Sequence, residues 1–416
     1  MLTSFSTALS ALTAHSTAID VVGNNLANLN TPGFKASVIS FHDLVTQSLG
    51  AGLGDTQVGF GVDRPVTLRQ FTQGAIQTTS SALDVAIQGD GFFVAKNSQG
   101  NVLYTRGGNL QVDLQGMLTT STGEKIQGWS QLGADGSLDA NSPIGDIVVP
   151  TGALKAPVAT KTVGLDLNLN AGAAAGTANG TFTTSIEIFD SLGQSHVLSF
   201  TLTKSATANQ WSYSASVPAA DVTAAPTPVT GTLTFDSNGK MISPAVTDPS
   251  PAIAITGLSN GAADMSVSWS LFTGQTARLT QFTQLSAVAA LSQDGSSTAT
   301  LTHVGIADGG RILAQYSNGQ QVVVGLLAMA AIRNPESLIA SGNNNYSLSA
   351  RSALPAIGTS GSGGRGTALG GAVESSTVDI AHEFTNLIVF QRGYQANAKV
   401  ITTVDELSQE TINLKR

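Results

Sequence analysis

The two ends of this chain constrain it most. Residues 2–29 place Phe5, Leu12, Ile19 and Leu26 at intervals of seven, with Leu2 and Leu9 on the adjoining seam. Residues 376–414 repeat the pattern with Ile380, Leu387, Tyr394 and Ile401, flanked by Phe390, Val404 and Leu407. An apolar stripe recurring every seven residues calls for a partner helix, being too narrow to cover a globular core and too apolar to face water. Between the helices the chain reads as β-structure throughout. The fold class expected is mainly β with terminal α-helices: nested antiparallel β-domains, barrel- or sandwich-like, framed by an N-/C-terminal helical coiled-coil domain. Such ends point to assembly, not catalysis.

Local signals set the boundaries. The run Asn28-Leu29-Asn30-Thr31-Pro32-Gly33 ends the first helix near Asn28, because Pro32 pushes Thr31 out of the α region. Phe41, Leu44, Val45 and Leu49 fit a short helical turn, Gly50–Gly61 a loop, and residues 66–71 a strand. Ser376 with Asp379 three residues on approximates a capping box for the last helix. Helices of this kind are marginal alone in water, so both termini are expected to order only on packing with neighbours.

Short strands separated by turn pairs fill residues 75–150, with Gly89-Asp90-Gly91 and Gly107-Gly108 among the breaks. A second β-domain is expected as an insert at 151–285, with strands at 163–169, 182–189, 195–204, 210–217, 229–236 and 264–271. Its turns Phe189-Asp190-Ser191-Leu192-Gly193 and Phe235-Asp236-Ser237-Asn238-Gly239 suggest a repeated hairpin device and one internal duplication. Strands resume at 298–306, 311–317 and 321–331 around Asn318-Gly319, a strong hairpin signal. Residues 355–371 read as a flexible Gly/Ser linker. The domains expected are 1–30 with 372–416 (helical), 31–74 with 356–371 (extended connection), 75–150 with 286–355 (inner β) and 151–285 (outer β). Nesting brings both ends of each domain together, so that the terminal helices can pair.

Composition excludes several functions. Only 11% of residues are charged and the net charge is −8 with no basic cluster, so neither nucleic acid nor an anionic membrane is an expected partner. There is no cysteine, hence no disulfide, thiolate ligand or cysteine nucleophile. No apolar run is long enough to span a bilayer, and the N-terminus lacks a secretory signal. The five histidines are scattered, without metal spacing, and His15 and His382 read as helix surface or interface. Gly361-Ser362-Gly363-Gly364-Arg365-Gly366 matches GxGxxG, but no strand leads into it and no helix opens at its end. No nucleophile has a base beside it, so no enzyme, metal or cofactor is expected.

Gly23-Asn24-Asn25-Leu26-Ala27-Asn28-Leu29-Asn30-Thr31-Pro32-Gly33-Phe34-Lys35 resembles the N-terminal signature of bacterial flagellar rod and hook proteins. Gln391-Arg392-Gly393-Tyr394-Gln395-Ala396-Asn397-Ala398-Lys399-Val400-Ile401 resembles their C-terminal one, and Ile87-Gln88-Gly89-Asp90-Gly91-Phe92-Phe93 a motif of their first β-domain. The insert, with its two Phe-Asp-Ser turns, is similar to the outer domain of the hook branch. The resemblance implies a subunit that self-assembles into a flexible tubular universal joint carrying motor torque to the filament. It implies the rod as proximal neighbour, cap and hook–filament junction proteins as distal neighbours, and export through the flagellar type III apparatus without a cleaved signal. A distal rod protein with an inserted β-domain is the alternative, and a secreted β-rich enzyme or adhesin a more distant one.

The residues assigned to self-assembly are Phe5, Leu9, Leu12, Ile19, Leu26, Ile380, Leu387, Phe390, Tyr394, Ile401 and Val404, with the amides Asn24, Asn25, Asn28 and Asn397. Phe5, Leu12, Ile19 and Leu26 are expected to pack on Ile380, Leu387, Tyr394 and Ile401, within or between subunits. Asn24, Asn25 and Asn28 are expected to set register by side-chain hydrogen bonds, helix-end capping being an equal reading for Asn28 and Asn30.

Overall fold

A computed structural model describes every residue except 1, 45–46, 49–56, 131–138, 140–141, 153 and 414–416; for 2–3, 47–48 and 57–58 it describes the backbone only. Val45, Leu49 and most of the expected 50–61 loop therefore lie outside the described residues, as does the Leu2 side chain. The chain forms two compact units, one of Met1–Thr151, His303–Gln315 and Gln321–Arg416, the other of Gly152–Thr302 with Tyr316–Gln320.

The first unit carries the helices, α1 (Leu2–Ala27) and α2 (Ile380–Asn413), and they pack against each other. Beyond α1 a two-stranded ribbon pairs Ser37–Ser40 with Val66–Arg69 in antiparallel register. Phe41 and Leu44 are not helical: they flank the bridge Asp43↔Val62 that prolongs the ribbon. The β-core sets Gln321–Leu327, Lys125–Trp129, Phe92–Lys96, Val102–Thr105, Asn345–Ser347 and Ile339–Gly342 side by side. Phe92, Val94, Tyr104, Trp129, Ala330 and Tyr346 meet in its apolar cluster. Phe92 through Ala95 are buried without alternation, which is how a strand covered on both faces reads.

The Gly/Ser segment before α2 is not a loose linker. Thr367–Gly370 pairs with Val85–Gln88, and Ala372–Glu374 with Ile76–Thr78. Arg365 donates to the carbonyls of Thr359 and Ala356 at 2.9 and 3.2 Å. Its glycines serve close approach: a Cβ at Gly366 would fall 2.2 Å from the Gln88 carbonyl oxygen, and one at Gly370 1.9 Å from that of Ile306.

The second unit is a sandwich of two five-stranded sheets. One is the meander Thr181–Phe189, Ser195–Lys204, Gln210–Ser216, Val229–Phe235, Met241–Ser243. The other is built on Thr162–Asn170, which runs antiparallel to Ala287–Gln293 but parallel to Met265–Ser270 and Leu279–Phe282. Alternate residues of both sheets, among them Leu165, Leu167, Leu198, Phe200 and Leu233, form a single core. Trp269 lies at its centre, 4.8 Å from the Phe200 ring and 5.0 Å from that of Tyr213. Burying each large side chain of this kind stabilises the fold by about 1.5–3 kcal/mol.

The two Phe-Asp-Ser turns have the same geometry. Asp190 Oδ1 accepts the amides of Leu192 and Gln194 at 2.8 and 2.9 Å, and Asp236 Oδ1 those of Asn238 and Lys240 at 2.9 and 2.8 Å. The glycine three residues on takes φ 86° at Gly193 and 78° at Gly239, a left-handed conformation costly for other residues. Asn97 with Gly100 and Asp113 with Gly116 repeat the arrangement in the first unit. The device is therefore a general hairpin solution of this chain, and no duplication is needed to explain it.

Candidate assembly interface

On the α1 side the helix pair is closed chiefly by small residues. On α1 the buried positions are Ala8, Ala14, Ala18, Val22 and Asn25. On α2 Glu383 is buried, and Leu387, Phe390, Gly393, Asn397, Ile401 and Val404 are half-buried at steps of three or four. The helices approach so closely that a Cβ at Gly393 would lie 2.6 Å from the His15 ring. His15 itself sits between the ribbon and α2, its ring 5.6 Å from Phe41 and 6.3 Å from Phe390.

The larger apolar residues expected to line this seam divide into two sets. Leu12, Ile19, Leu26, Leu387, Phe390, Ile401 and Val404 are half-buried beside it. Phe5, Leu9, Ile380 and Tyr394 remain exposed by 41, 50, 46 and 42%. Alanine explains the division, since a helix that presents methyl groups lets its partner come close and leaves bulkier neighbours on the flanks. The α2 face turned to water carries more such residues, with Phe384, Ile388, Val389 and Leu407 all more than half exposed.

The amides have different tasks. Asn25, 1% exposed, donates to the Ser37 carbonyl at 2.8 Å and to Glu383 Oε1 at 2.9 Å, and its own carbonyl accepts the Ser37 amide at 3.0 Å. One side chain thus fixes α1 to the ribbon and to α2. Asn28 turns back to the Asn24 carbonyl at 2.9 Å and accepts Thr31 Oγ1 at 3.1 Å, closing the helix end. Asn24 is exposed, and Asn397 donates within its own helix to the Gly393 carbonyl at 2.8 Å. At the start of α2 the cap is Asp379, whose Oδ1 accepts the amides of Ala381 and His382 at 2.8 and 3.1 Å.

Below the helices lies an anchor that sequence reasoning missed. Glu374, 1% exposed, pairs with Lys35 Nζ at 2.6 Å and with Arg106 Nη1 at 3.1 Å. It also accepts the Gly74 amide at 2.7 Å, while Lys35 Nζ donates to the Thr72 carbonyl at 2.6 Å and Arg106 Nη2 to that of Gly89 at 2.9 Å. Burial pulls the Lys35 ammonium below the usual lysine range, and the Glu374 carboxylate opposes that pull. Phe71, Phe92 and Tyr346 stack in T-shaped contacts beside it, with Arg69 and Arg106 over their rings. The available signal was Lys35 itself, a cation among Phe34, Ala36 and Val38.

In the second unit the buried Asp190 and His196 form a polar cluster with the half-buried Asp221 and Asn260. His196 Nε2 lies 3.1 Å from Asp190 and Nδ1 3.2 Å from Asp221, and the Asn260 amide donates to Asp190 and to Gln194. It ties three turns together. Among the described residues no group of three His, Cys, Asp or Glu side chains is placed to hold a metal ion.

Comparison with known proteins gives this architecture its class. Residues 5–35 match the flagella basal body rod protein family, 86–163 the flagellar hook protein FlgE/F/G D1 domain, 168–296 the flagellar basal body protein FlaE D2 domain, and 369–414 the flagellar basal body rod FlgEFG protein C-terminal family. Terminal helices flanking two β-units in that order define an axial protein of the bacterial flagellum. The chain is 34% identical to the flagellar hook protein FlgE of Borreliella burgdorferi over the whole of both proteins. It is 32% identical to that of Salmonella typhimurium over 99% of this chain and all of the other. The crystal structure of Helicobacter pylori flagellar hook protein FlgE2 shares the fold at TM-score 0.50 and 15% identity, covering 66% of this chain and 94% of that one. The chain belongs to the flagellar hook protein family. It is a structural subunit of the hook, not an enzyme, and its place is the flagellum. No described helix is long and apolar enough to cross a membrane.

Proposed function

We propose that α1 and α2 are the polymerising element of the hook subunit, and that the exposed apolar residues they keep are completed by neighbouring copies. The observation that carries this reading is the water-facing side of α2, where Phe384, Ile388, Val389 and Leu407 stand exposed although the helix already has α1 as partner. Phe5 and Leu9 of α1 and Ile380 and Tyr394 of α2 are exposed as well. The half-buried Leu12, Ile19, Leu26, Leu387, Phe390, Ile401 and Val404 hold the pair together, with Asn25 setting its register. Residues 1–30 with 372–416 act as the tight helical seam, 31–74 with 356–371 as connection, 75–150 with 286–355 as inner β-domain, and 151–285 as the outer domain whose weakly charged surface slides as the tube bends.

The polymer is a flexible universal joint that transmits motor torque to the filament. Its neighbours are the rod at the proximal end and the hook cap and junction proteins at the distal end, and its subunits travel through the flagellar type III export apparatus without a cleaved signal, to stand outside the cell. The test is substitution on the seam of the full chain. Leu12→Asp and Ile401→Asp are expected to abolish polymerisation while tryptophan fluorescence reports intact β-units; hooks assembled normally from either variant would refute the assignment.

A further inference from the structure

Between α1, the ribbon and α2 lies a groove of about 360 Å³ with apolar walls of Val21, Val38, Ile39 and Phe41. Glu383 is at its floor, 5% exposed. Its carboxylate takes one hydrogen bond from Asn25, and among the described residues it meets no cation. A buried carboxylate without a counter-charge is an expensive arrangement, and it invites a cation brought in from outside.

The helix pair offers few candidates. Among its described residues α1 has no Lys or Arg at all, and α2 has only Arg392 and Lys399. Both are exposed and, among the described residues, neither takes part in an ion pair. Arg392 stands nine positions after Glu383, about half a turn round the helix and roughly 13 Å along it, so the two cannot meet within one chain. We infer that Glu383 in its groove receives Arg392 of a second copy of this chain. The guanidinium matches a carboxylate with two parallel N–H donors and is more weakly hydrated than an ammonium, and its aliphatic stem suits the apolar walls; Arg392 is therefore the occupant, not Lys399. Donor and acceptor lie on different faces of one helix, so the contact is head-to-tail, the kind that builds an open polymer when its rotation does not close a ring. The inference rests on the polymerising role of the helix pair and names one contact within it.

The chain contains no cysteine, so cysteines can be placed without background. The chain carrying both Glu383→Cys and Arg392→Cys loses both charges together and so leaves neither partner unpaired in the groove; it is allowed to polymerise and treated with a bismaleimide too short to span the two positions within one helix. A ladder of dimers, trimers and higher species is expected, whereas an equal mixture of the two single variants should stop at dimers. Polymers that form but give no crosslink would overturn the contact while leaving the helix-pair reading intact; failure of the unsubstituted chain to polymerise would overturn that reading itself. As a second measurement, Arg392→Glu alters only an exposed side chain and should lose polymer, with Arg392→Lys retaining part of it and Lys399→Glu polymerising as the unsubstituted chain does. Loss with Lys399→Glu and normal assembly with Arg392→Glu would also overturn the assignment.

Discussion

Asn25 and Glu383 stand 358 positions apart in the chain and 2.9 Å apart in the fold. The same amide completes both backbone groups of Ser37, so one side chain joins the end of α1, the ribbon and the first turns of α2. A polar residue at such a point specifies where two apolar surfaces stop sliding past one another.

Replacing Asn25 by Ala leaves the Ser37 amide and carbonyl and one oxygen of Glu383 without that partner. At about 1–3 kcal/mol for each unsatisfied buried group, the helix pair should lose on the order of 3 kcal/mol. Hydrogen exchange of the full chain should show the Ser37 amide unprotected in Asn25→Ala, with the strands of the second unit unchanged. An unaltered Ser37 amide would show that the contact does not hold the ribbon.

Glu374→Gln keeps the shape but removes the charge that Lys35 and Arg106 share. Breaking a buried pair from one side costs about 3–5 kcal/mol. Trp129 belongs to the first unit and Trp211 and Trp269 to the second, so Trp129→Phe chains report the second unit alone. The Trp129 signal should be lost at lower denaturant in Glu374→Gln, and that of Trp211 and Trp269 at the same denaturant as before. Joint movement of both transitions would contradict a local role.

Two glycines make opposite predictions. A Cβ at Gly108 would lie 1.6 Å from the Val85 carbonyl oxygen, whereas one at Gly23 meets none of the described residues within 4 Å. Gly108→Ala should destabilise the first unit strongly. Gly23→Ala should stabilise α1 by up to about 1 kcal/mol, as alanine does in a helix interior. Urea unfolding of the two variants separates these cases, and polymerisation of Gly23→Ala shows whether that open space is filled by a neighbour.

Acid should weaken the second unit through Asp190. Burial alone pushes its carboxyl up, but hydrogen bonds from Asn260, His196 and the amides of Gln194 and Leu192 outweigh it and hold it below the ordinary value of 3.8. A carboxyl depressed in the folded state adds stability that is complete above its unfolded value and disappears as pH falls through its folded one. The Trp211 and Trp269 transition of a Trp129→Phe chain should therefore shift to lower denaturant below pH 3.8. In Asp190→Asn the unit should be weaker at neutral pH and lose that share of the acid dependence.

The strands of the second unit were legible because they alternate. The expected 195–204 and the observed Ser195–Lys204 coincide, and the Asp-x-x-Gly turns marked where strands ended. Leu279–Phe282 and Ala287–Gln293 escaped, the latter because its residues are nearly all exposed and give no alternation of burial to read. On the helices the heptad of large residues was visible, but the buried ridge of Ala8, Ala14 and Ala18 was not, since alanine signals helix without saying which face is covered. Glu374 and Arg106 could not be found from spacing: the groups that make them partners lie 268 positions apart. The Gly/Ser segment misled in the other direction, because glycine marks close approach of backbones as readily as freedom.

The Lys35–Glu374 pair spans 339 positions. A chain that emerges N-terminus first presents Lys35 long before its counter-charge exists, and the apolar site around that lysine is unfavourable until Glu374 arrives. The β-units can gather from contacts within themselves, but the joint beneath the helices must wait for the last part of the chain. Completion of the subunit is thus timed by its C-terminal segment, and a chain truncated before Glu374 would hold its helix-bearing end open.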